Sequence, residues 1–456
     1  MRSIFLLLFL VVQSCISIGQ TFEGNWKGEL MIQGQVLPLL FEIQKDKTNW
    51  SAFMISPAQS NTKFPVTTIS VREDSIFIDV RNIGLSYHGV KKGDIIEGKF
   101  KQGAFETTMN LSKYGNLEKP ISALVRSQVV SPPYSYDTLA VRIRNDFDNI
   151  TLAGTLTFPK KKGQYPAVLL LTGSGPQNRD EELFGHKPFR ILADYLTRNG
   201  IVVLRVDDRG VAESTGNFEN STIENFSKDA ISAFNYLKKM PQVDKRRVGI
   251  IGHSEGALIA ELLAGQHLPD LGFIGLLAGP SFSIDKMMVE QLYAVGKAAG
   301  ISESELSKAR VINTRNFEIV KSELPTAEAY QQLVDNMLKT GIRADNKQME
   351  RELLTMLAPA YRYFMRIEPE KYIENITIPV FAAFGTLDVQ VPSDLNVKSL
   401  HNHLPKNTQT VLKEYDGMNH LFQKAETGQL SEYAKIEETI NPQVMKDLAT
   451  WIKGLK

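Results

Sequence analysis

A serine held between glycines at the end of an apolar run is the residue of this chain best placed to do chemistry. The stretch Val248-Gly249-Ile250-Ile251-Gly252-His253-Ser254-Glu255-Gly256-Ala257 reads as a buried strand, a Gly-x-Ser-x-Gly turn and the start of a helix. Such a turn lifts a hydroxyl above a sheet edge, where other segments can activate it. Side chains at Gly252 or Gly256 would collide with neighbouring segments at so crowded a corner. A serine hydroxyl is a poor nucleophile near neutral pH. It needs a base to take its proton and an anion to hold that base in the right tautomer.

Seven histidines are available for the base. His253 adjoins Ser254, but the turn points it away from the hydroxyl, so it reads as structural. His88 falls in the N-terminal strand-rich region, His186 in a polar loop, His267 after the serine helix, and His401 and His403 on a helix-like stretch. His420 differs from these. It lies in Asp416-Gly417-Met418-Asn419-His420-Leu421-Phe422, a loop just after the last strand, and is assigned as the general base. The orienting acid should follow a strand between serine and histidine. Phe384-Gly385-Thr386-Leu387-Asp388 supplies a strand, a turn and a carboxylate, which makes Asp388 the expected acid. Its alternative role is that of a loop residue capping the next helix; Asp394 is the nearest competitor as the acid, but it lies within the expected helix. The order Ser254, Asp388, His420 is the one expected for a sheet of this type. A tetrahedral intermediate also needs N–H donors. One is expected from Glu255, the residue after the nucleophile. The other is expected from Ser174 in Thr172-Gly173-Ser174-Gly175-Pro176, whose glycines let backbone approach substrate; a simple Gly-Pro turn is the alternative.

The elements that must position these residues are of two kinds. From about Thr21 to Tyr114, short alternating runs broken by Gly, Asn, Asp and Lys read as all-β, a small barrel or sandwich with Trp26 as core plug. It is either a binding module, for instance for glycans, or an accessory unit packed on the rest. From Pro166 onward, apolar strand runs such as Ala167 to Leu171 alternate with amphipathic helices. This predicts an α/β fold: a mainly parallel central sheet with helices on both faces. The long helix-rich stretch 281–375 interrupts that rhythm and reads as a helical cap inserted over the sheet's carboxyl edge. The expected division is 1–19 export signal, 20–118 β domain, 119–150 linker and first strands, and 151–456 catalytic domain.

As a set, Gly173-Ser174-Gly175-Pro176, Asp207-Asp208-Arg209-Gly210, Ser214-Thr215-Gly216, the elbow Gly252 to Gly256, Gly385 to Pro392 and Asn419-His420 resemble the α/β-hydrolase family. Within that family the chain looks like bacterial serine esterases with a His-Gly-Ser-Gly-Pro oxyanion loop and a Gly-His-Ser-Glu-Gly elbow. The resemblance implies ester hydrolysis through an acyl-enzyme without a cofactor, and a cap inserted before the acid-bearing strand. Related cell-envelope proteins carry a β domain similar to residues 21–114. Two positions depart from the pattern: Thr172 replaces the oxyanion-loop histidine, and Ala257 replaces a second glycine after the elbow. Asp208 and Arg209 read as a structural ion pair rather than a substrate clamp. The leading expectation is a carboxylesterase for short to medium acyl groups. A prolyl- or aminopeptidase of the same fold is the second reading, although no acidic pair for gripping an amine stands out. A non-catalytic binding protein is the third.

Composition narrows the partners. With 456 residues and a net charge of +1, two or three domains are expected, and neither nucleic acid nor an anionic membrane is indicated. Arg2 followed by the apolar stretch Ile4 to Val12 reads as an export signal cut after Gly19, placing the protein in the periplasm or outside the cell. The single cysteine, Cys15, lies inside that segment in a weak lipobox-like setting. After such a cut no thiol would remain for a disulfide or metal site. The expected partner is a small-molecule or glycan-linked ester, with no metal and no stable membrane span.

Overall fold

Short alternating runs between Gly24 and Lys113 fold as strands in the computed structural model. It describes residues 21–456 apart from 33–34, 48, 58–59, 103–104, 115–125, 220 and 340–346. Residues 1–19, expected as an export signal and holding Cys15, lie outside the described residues. The strands are β1 (Gly24–Ile32), β2 (Gln35–Asp46), β3 (Asn49–Ser56), β4 (Ser60–Pro65), β5 (Thr68–Arg72), β6 (Ser75–Val80), β7 (Leu85–Lys92), β8 (Ile95–Gln102), β9 (Phe105–Thr108) and β10 (Leu111–Lys113). They pair antiparallel in the order β4-β3-β2-β1-β10-β8-β7-β6-β5, with β9 on β8. The outermost strands β4 and β5 are joined by only Val66 and Thr67, whose N–H groups donate to Ala52 and Asp79 at the two ends of the sheet. The sheet therefore curls into an incompletely closed barrel.

Its two-residue period sets which face is inside. On β6, Ile76, Ile78 and Val80 are buried while Phe77 is exposed. Trp26, Phe41, Tyr87 and Phe100 fill the interior, and the Trp26 indole N–H donates to Phe22 O at 2.7 Å. The core is completed from outside the barrel by Val211, with Phe218 packed against it, so barrel and catalytic unit share one apolar contact.

The second sheet holds β11 (Tyr136–Asn145), β12 (Ile150–Pro159), β13 (Tyr165–Leu171), β14 (Val202–Val206), β15 (Val243–His253), β16 (Phe273–Leu277), β17 (Val380–Gly385) and β18 (Val411–Tyr415). Its order is β11-β12-β14-β13-β15-β16-β17-β18, parallel from β14 onward, with an antiparallel hairpin at the β11–β12 edge. Ala167 to Leu171 are buried because helices cover both faces. Helices α1 (Pro188–Arg198) and, at the end of the chain, α12 (Pro442–Gly454) pack in the apolar layer on one face; α2 (Ile223–Leu237) and α3 (Glu255–Gly265) pack on the other.

The stretch expected as a cap leaves the carboxyl end of β16 and is helical. It contains α4 (Ile284–Ala298), α5 (Glu303–Lys321), α6 (Thr326–Leu338), α7 (Lys347–Met356), α8 (Pro359–Met365) and α9 (Glu370–Ile373). Phe317, Val320 and Leu333 join it to the core on the α3 face. After β17 come α10 (Ser393–His403) and α11 (Leu430–Tyr433). Among the described residues, no helix is long and apolar enough to cross a membrane.

Candidate active site

The strand-turn-helix of β15 and α3 forces its middle residue into an unusual backbone state. Ser254 has φ 53° and ψ −118°, a conformation L-residues rarely adopt and one that stores strain at functional sites. The flanking glycines are obligatory on steric grounds. A Cβ on Gly252 would lie 2.1 Å from the Gly256 carbonyl carbon, and one on Gly256 would lie 2.2 Å from Leu171 O. The Ser254 N–H donates to Leu277 O at 2.9 Å, while its side chain makes no capping bond to α3. The hydroxyl is thus presented rather than consumed by the helix it begins.

Beside it runs the loop after β13. A Cβ on Gly173 would come within 3.3 Å of Ser254 Cβ, so Ser174 follows directly on the residue that touches the nucleophile corner. The N–H groups of Ser174 and Glu255 have no acceptor among the described residues. The latter is one of the orphan donors that every helix start leaves. Two carboxylates hold the loop, one gripping both of its ends and the other its second residue. Asp208 accepts from Thr172 Oγ1 and from the Gln177 N–H, both at 2.9 Å. Glu181 Oε1 accepts the Gly173 N–H at 2.7 Å. The expected Asp208–Arg209 ion pair is not formed. Arg209 pairs instead with Asp229 at 2.7 Å and Asp148 at 2.8 Å, because neighbouring side chains leave the end of β14 in different directions. Thr172, at the histidine position of the resembling family, is thereby the anchor of the loop. Burial pushes the Asp208 carboxyl well above the usual carboxylate range.

Asp388 and His420 come together as expected. His420 Nδ1 lies 2.7 Å from Asp388 Oδ2, and both side chains are almost fully buried. Asp388 Oδ1 is occupied by the N–H groups of Gln390 and Val391, which fixes the carboxylate's orientation. A carboxylate on Nδ1 places the proton there and leaves Nε2 as the basic nitrogen. Gly385 makes the meeting possible: a Cβ there would lie 2.2 Å from Met418 O, and the Leu387 N–H donates to that same oxygen at 2.9 Å. Buried Asn419 then braces the histidine loop by accepting the N–H groups of Leu421 and Gln423. The competitor Asp394 is exposed and caps its own neighbour Leu395. The structure does not close a hydrogen bond between Ser254 Oγ and His420. Such contacts are often long in unliganded sites and tighten on substrate.

His253, read as structural, has a more specific place. Its Nδ1 faces Glu181 Oε1 at 2.8 Å and its Nε2 faces His420 O at 2.9 Å, with the two imidazole centroids 4.6 Å apart. Burial lowers the pKa of His253, but the Glu181 carboxylate and the His420 carbonyl outweigh it and the net shift is upward. Both ring nitrogens point at oxygens, as an imidazolium requires. Glu181 and His253 therefore tie the oxyanion loop, the serine corner and the histidine loop together. Nothing in the spacing of Glu181 marked it. His186, by contrast, is buried between Tyr433 O and Thr439 Oγ1 and pushed down to about 4 by burial, a neutral structural residue. Glu255, next to the serine, is pushed up to about 7 by burial alone. No group of His, Cys, Asp and Glu able to hold a metal occurs among the described residues.

Comparison with known proteins follows the same lines. A family model described as serine aminopeptidase, S33, matches residues 187–426. Esterase EstD of Thermotoga maritima is 25% identical over 363 residues, 78% of each chain. A solved Pyrococcus furiosus esterase aligns with a TM-score of 0.44 and 17% identity, covering 73% of this chain and 98% of that one. Est1E of Butyrivibrio proteoclasticus, solved with ferulic acid, aligns with a TM-score of 0.43 and 16% identity, covering 69% and 99%. The family match spans more than half of the sequence, including the strained serine corner and the Asp388–His420 pair, and the chain belongs to the serine aminopeptidase, S33, family of α/β hydrolases.

Proposed function

We infer that the protein is a carboxylesterase-type serine hydrolase acting on esters of short to medium acyl groups. Ser254 Oγ attacks the ester carbonyl as His420 Nε2 takes its proton. Asp388 holds the imidazole and stabilises its charged form. The N–H groups of Ser174 and Glu255 receive the developing oxyanion; removing such a donor costs about 10² to 10³ in rate. His420 then protonates the leaving alkoxide, water adds to the acyl-enzyme by the reverse route, and the acid is released. The observation that carries this reading is a strained serine with a free hydroxyl, beside two unused N–H donors and a buried Asp–His pair.

Ester rather than peptide cleavage is supported by the Thermotoga relative's description as an esterase and by the acidic residues near the loop. Glu181 is engaged by Gly173 and His253, and Glu182 faces Lys187 at 3.5 Å, so neither is reserved for a substrate amine. The N-terminal segment 1–19 is proposed to direct export, on the strength of Arg2 and the apolar run that follows; N-terminal sequencing of the mature protein should begin at Gln20.

A fluorophosphonate should label the wild type, and Ser254→Ala should abolish labelling and turnover together. p-Nitrophenyl acetate and butyrate should be hydrolysed and aminoacyl anilides should not. Labelling that survives in Ser254→Ala removes the nucleophile; anilide turnover exceeding ester turnover makes the enzyme a peptidase.

A further inference from the structure

A recess touching the oxyanion loop is not made by the catalytic unit alone. A cavity of about 440 Å³ opens between the barrel and the loop after β13. Leu39, Met54, Phe64, Leu85 and Phe100 form its barrel wall, all of them buried and apolar. Ser174, Gly175 and Pro176 form its other side, with Gln390 and Tyr433 at the edge. Gln390 donates its backbone N–H to the Asp388 carboxylate and its side-chain amide to the Tyr433 hydroxyl, so this edge is braced from the acid loop. Such a volume is that of a small-molecule site rather than a packing defect.

Three observations say what enters. First, the cavity reaches the loop beside the serine corner: Ser174, whose N–H is the expected oxyanion donor, lines it, and it follows Gly173, where a Cβ would lie 3.3 Å from Ser254 Cβ. A carbonyl held by the Ser174 N–H has the cavity at its side. Second, the barrel wall carries no charge. Its polar members are Ser56 and Gln102, and the Gln102 amide is spent on Ile83 O. Glu182, which faces Lys187, lies on the loop side of the cavity; an unpaired charge against the barrel wall would be costly to bury, so the part of a guest that reaches that wall is uncharged and apolar. Third, the barrel wall is made of buried side chains, while the loop side, with Ser174 and Leu430, is open to solvent. The alcohol must leave before water can attack, whereas the acyl group stays attached to Ser254 through both half-reactions, and a recess walled on the barrel side by buried side chains suits the group that stays.

We propose that the N-terminal barrel is the acyl-binding half of the active site. It selects uncharged aliphatic or aromatic acyl groups of medium size. The proposal rests on the ester-hydrolase reading above. It replaces a separate accessory or glycan-targeting role for residues 20–118 with one in substrate selection.

The test uses the full chain, with rates normalised by fluorophosphonate titration of Ser254. One substrate series lengthens the acyl group, from p-nitrophenyl acetate to decanoate. The other keeps the acetyl group and lengthens the alcohol. Leu37→Trp, at the cavity wall, should lower the octanoate-to-acetate ratio of kcat/KM by roughly tenfold or more, and Phe64→Ala should move the acyl optimum to longer chains. Neither should alter the ranking of the alcohol series. An unchanged acyl profile in both variants, or a change seen only in the alcohol series, overturns the proposal. Circular dichroism melting identifies a variant that fails to fold, and the other then decides. A wild type that turns over no ester in either series indicts the esterase reading itself, which separates the two failures.

Discussion

At the residue scale, the site is built from groups whose orientation the protein imposes. Asp388 spends one oxygen on backbone N–H groups and the other on His420, so in the proposed mechanism it would act by orientation and charge. Asp388→Asn should keep the fold, place the wrong tautomer on His420, and lower kcat by about 10⁴ with little change in KM, as steady-state kinetics would show. Glu255 behaves differently. Burial raises it to about 7, so the folded chain holds this proton over a pH range where the unfolded chain has released it. Stability must then fall as pH rises from the ordinary glutamate range through about 7, by up to a few kcal/mol. Buried Asp208 adds a slope of the same sign. Melting temperatures between pH 4.5 and 8 should decline less steeply in Glu255→Gln than in the wild type. Equal slopes would show that Glu255 is not held neutral.

At the element scale, the proposed catalytic groups come from four loops, and small contacts decide whether those loops meet. Gly252→Ala and Gly256→Ala would drive a methyl into backbone at 2.1 and 2.2 Å, where no rotamer can relieve the clash. Both should lose several kcal/mol and most soluble expression. Glu181 is the opposite case, a side chain that joins elements already folded. Glu181→Gln keeps an acceptor for Gly173 but removes the charge that raises His253. Circular dichroism should remain native-like while kcat falls by about 10 to 10² with KM nearly unchanged, the signature of a mispositioned oxyanion loop. The His253 contribution to stability is present below its unfolded pKa and fades as pH rises through the raised folded value. In the variant that fading should vanish from pH-dependent melts.

At the scale of the whole molecule, barrel and catalytic unit are not independent bodies. Val211 is completely buried within the barrel's core cluster, and Phe218 packs on it. A chain lacking residues 21–114 would expose both, together with the apolar side of the oxyanion loop. It should melt at lower temperature and aggregate by size-exclusion chromatography. A truncated chain that stays monomeric with the wild-type melting temperature would contradict this shared core.

What the chain determined on its own account were the features that backbone sterics and periodicity demand locally. The Gly-x-Ser-x-Gly corner was legible because only glycine fits 2 Å from backbone. The α/β sheet was legible because strands covered on both faces must be continuously apolar, and the order Ser254, Asp388, His420 followed from which loops leave the carboxyl ends of those strands. The partners of charged residues were not. Asp208 and Arg209 are neighbours in sequence, yet they serve different loops, since side-chain direction at a strand end depends on what the fold sets on each side. Glu181 lies 72 positions before His253, a pairing that no local pattern encodes. The placing of the barrel against the oxyanion loop also belongs to tertiary structure alone. It depends on two apolar surfaces fitting each other, and the alternating pattern that builds each surface is silent about which other surface will cover it.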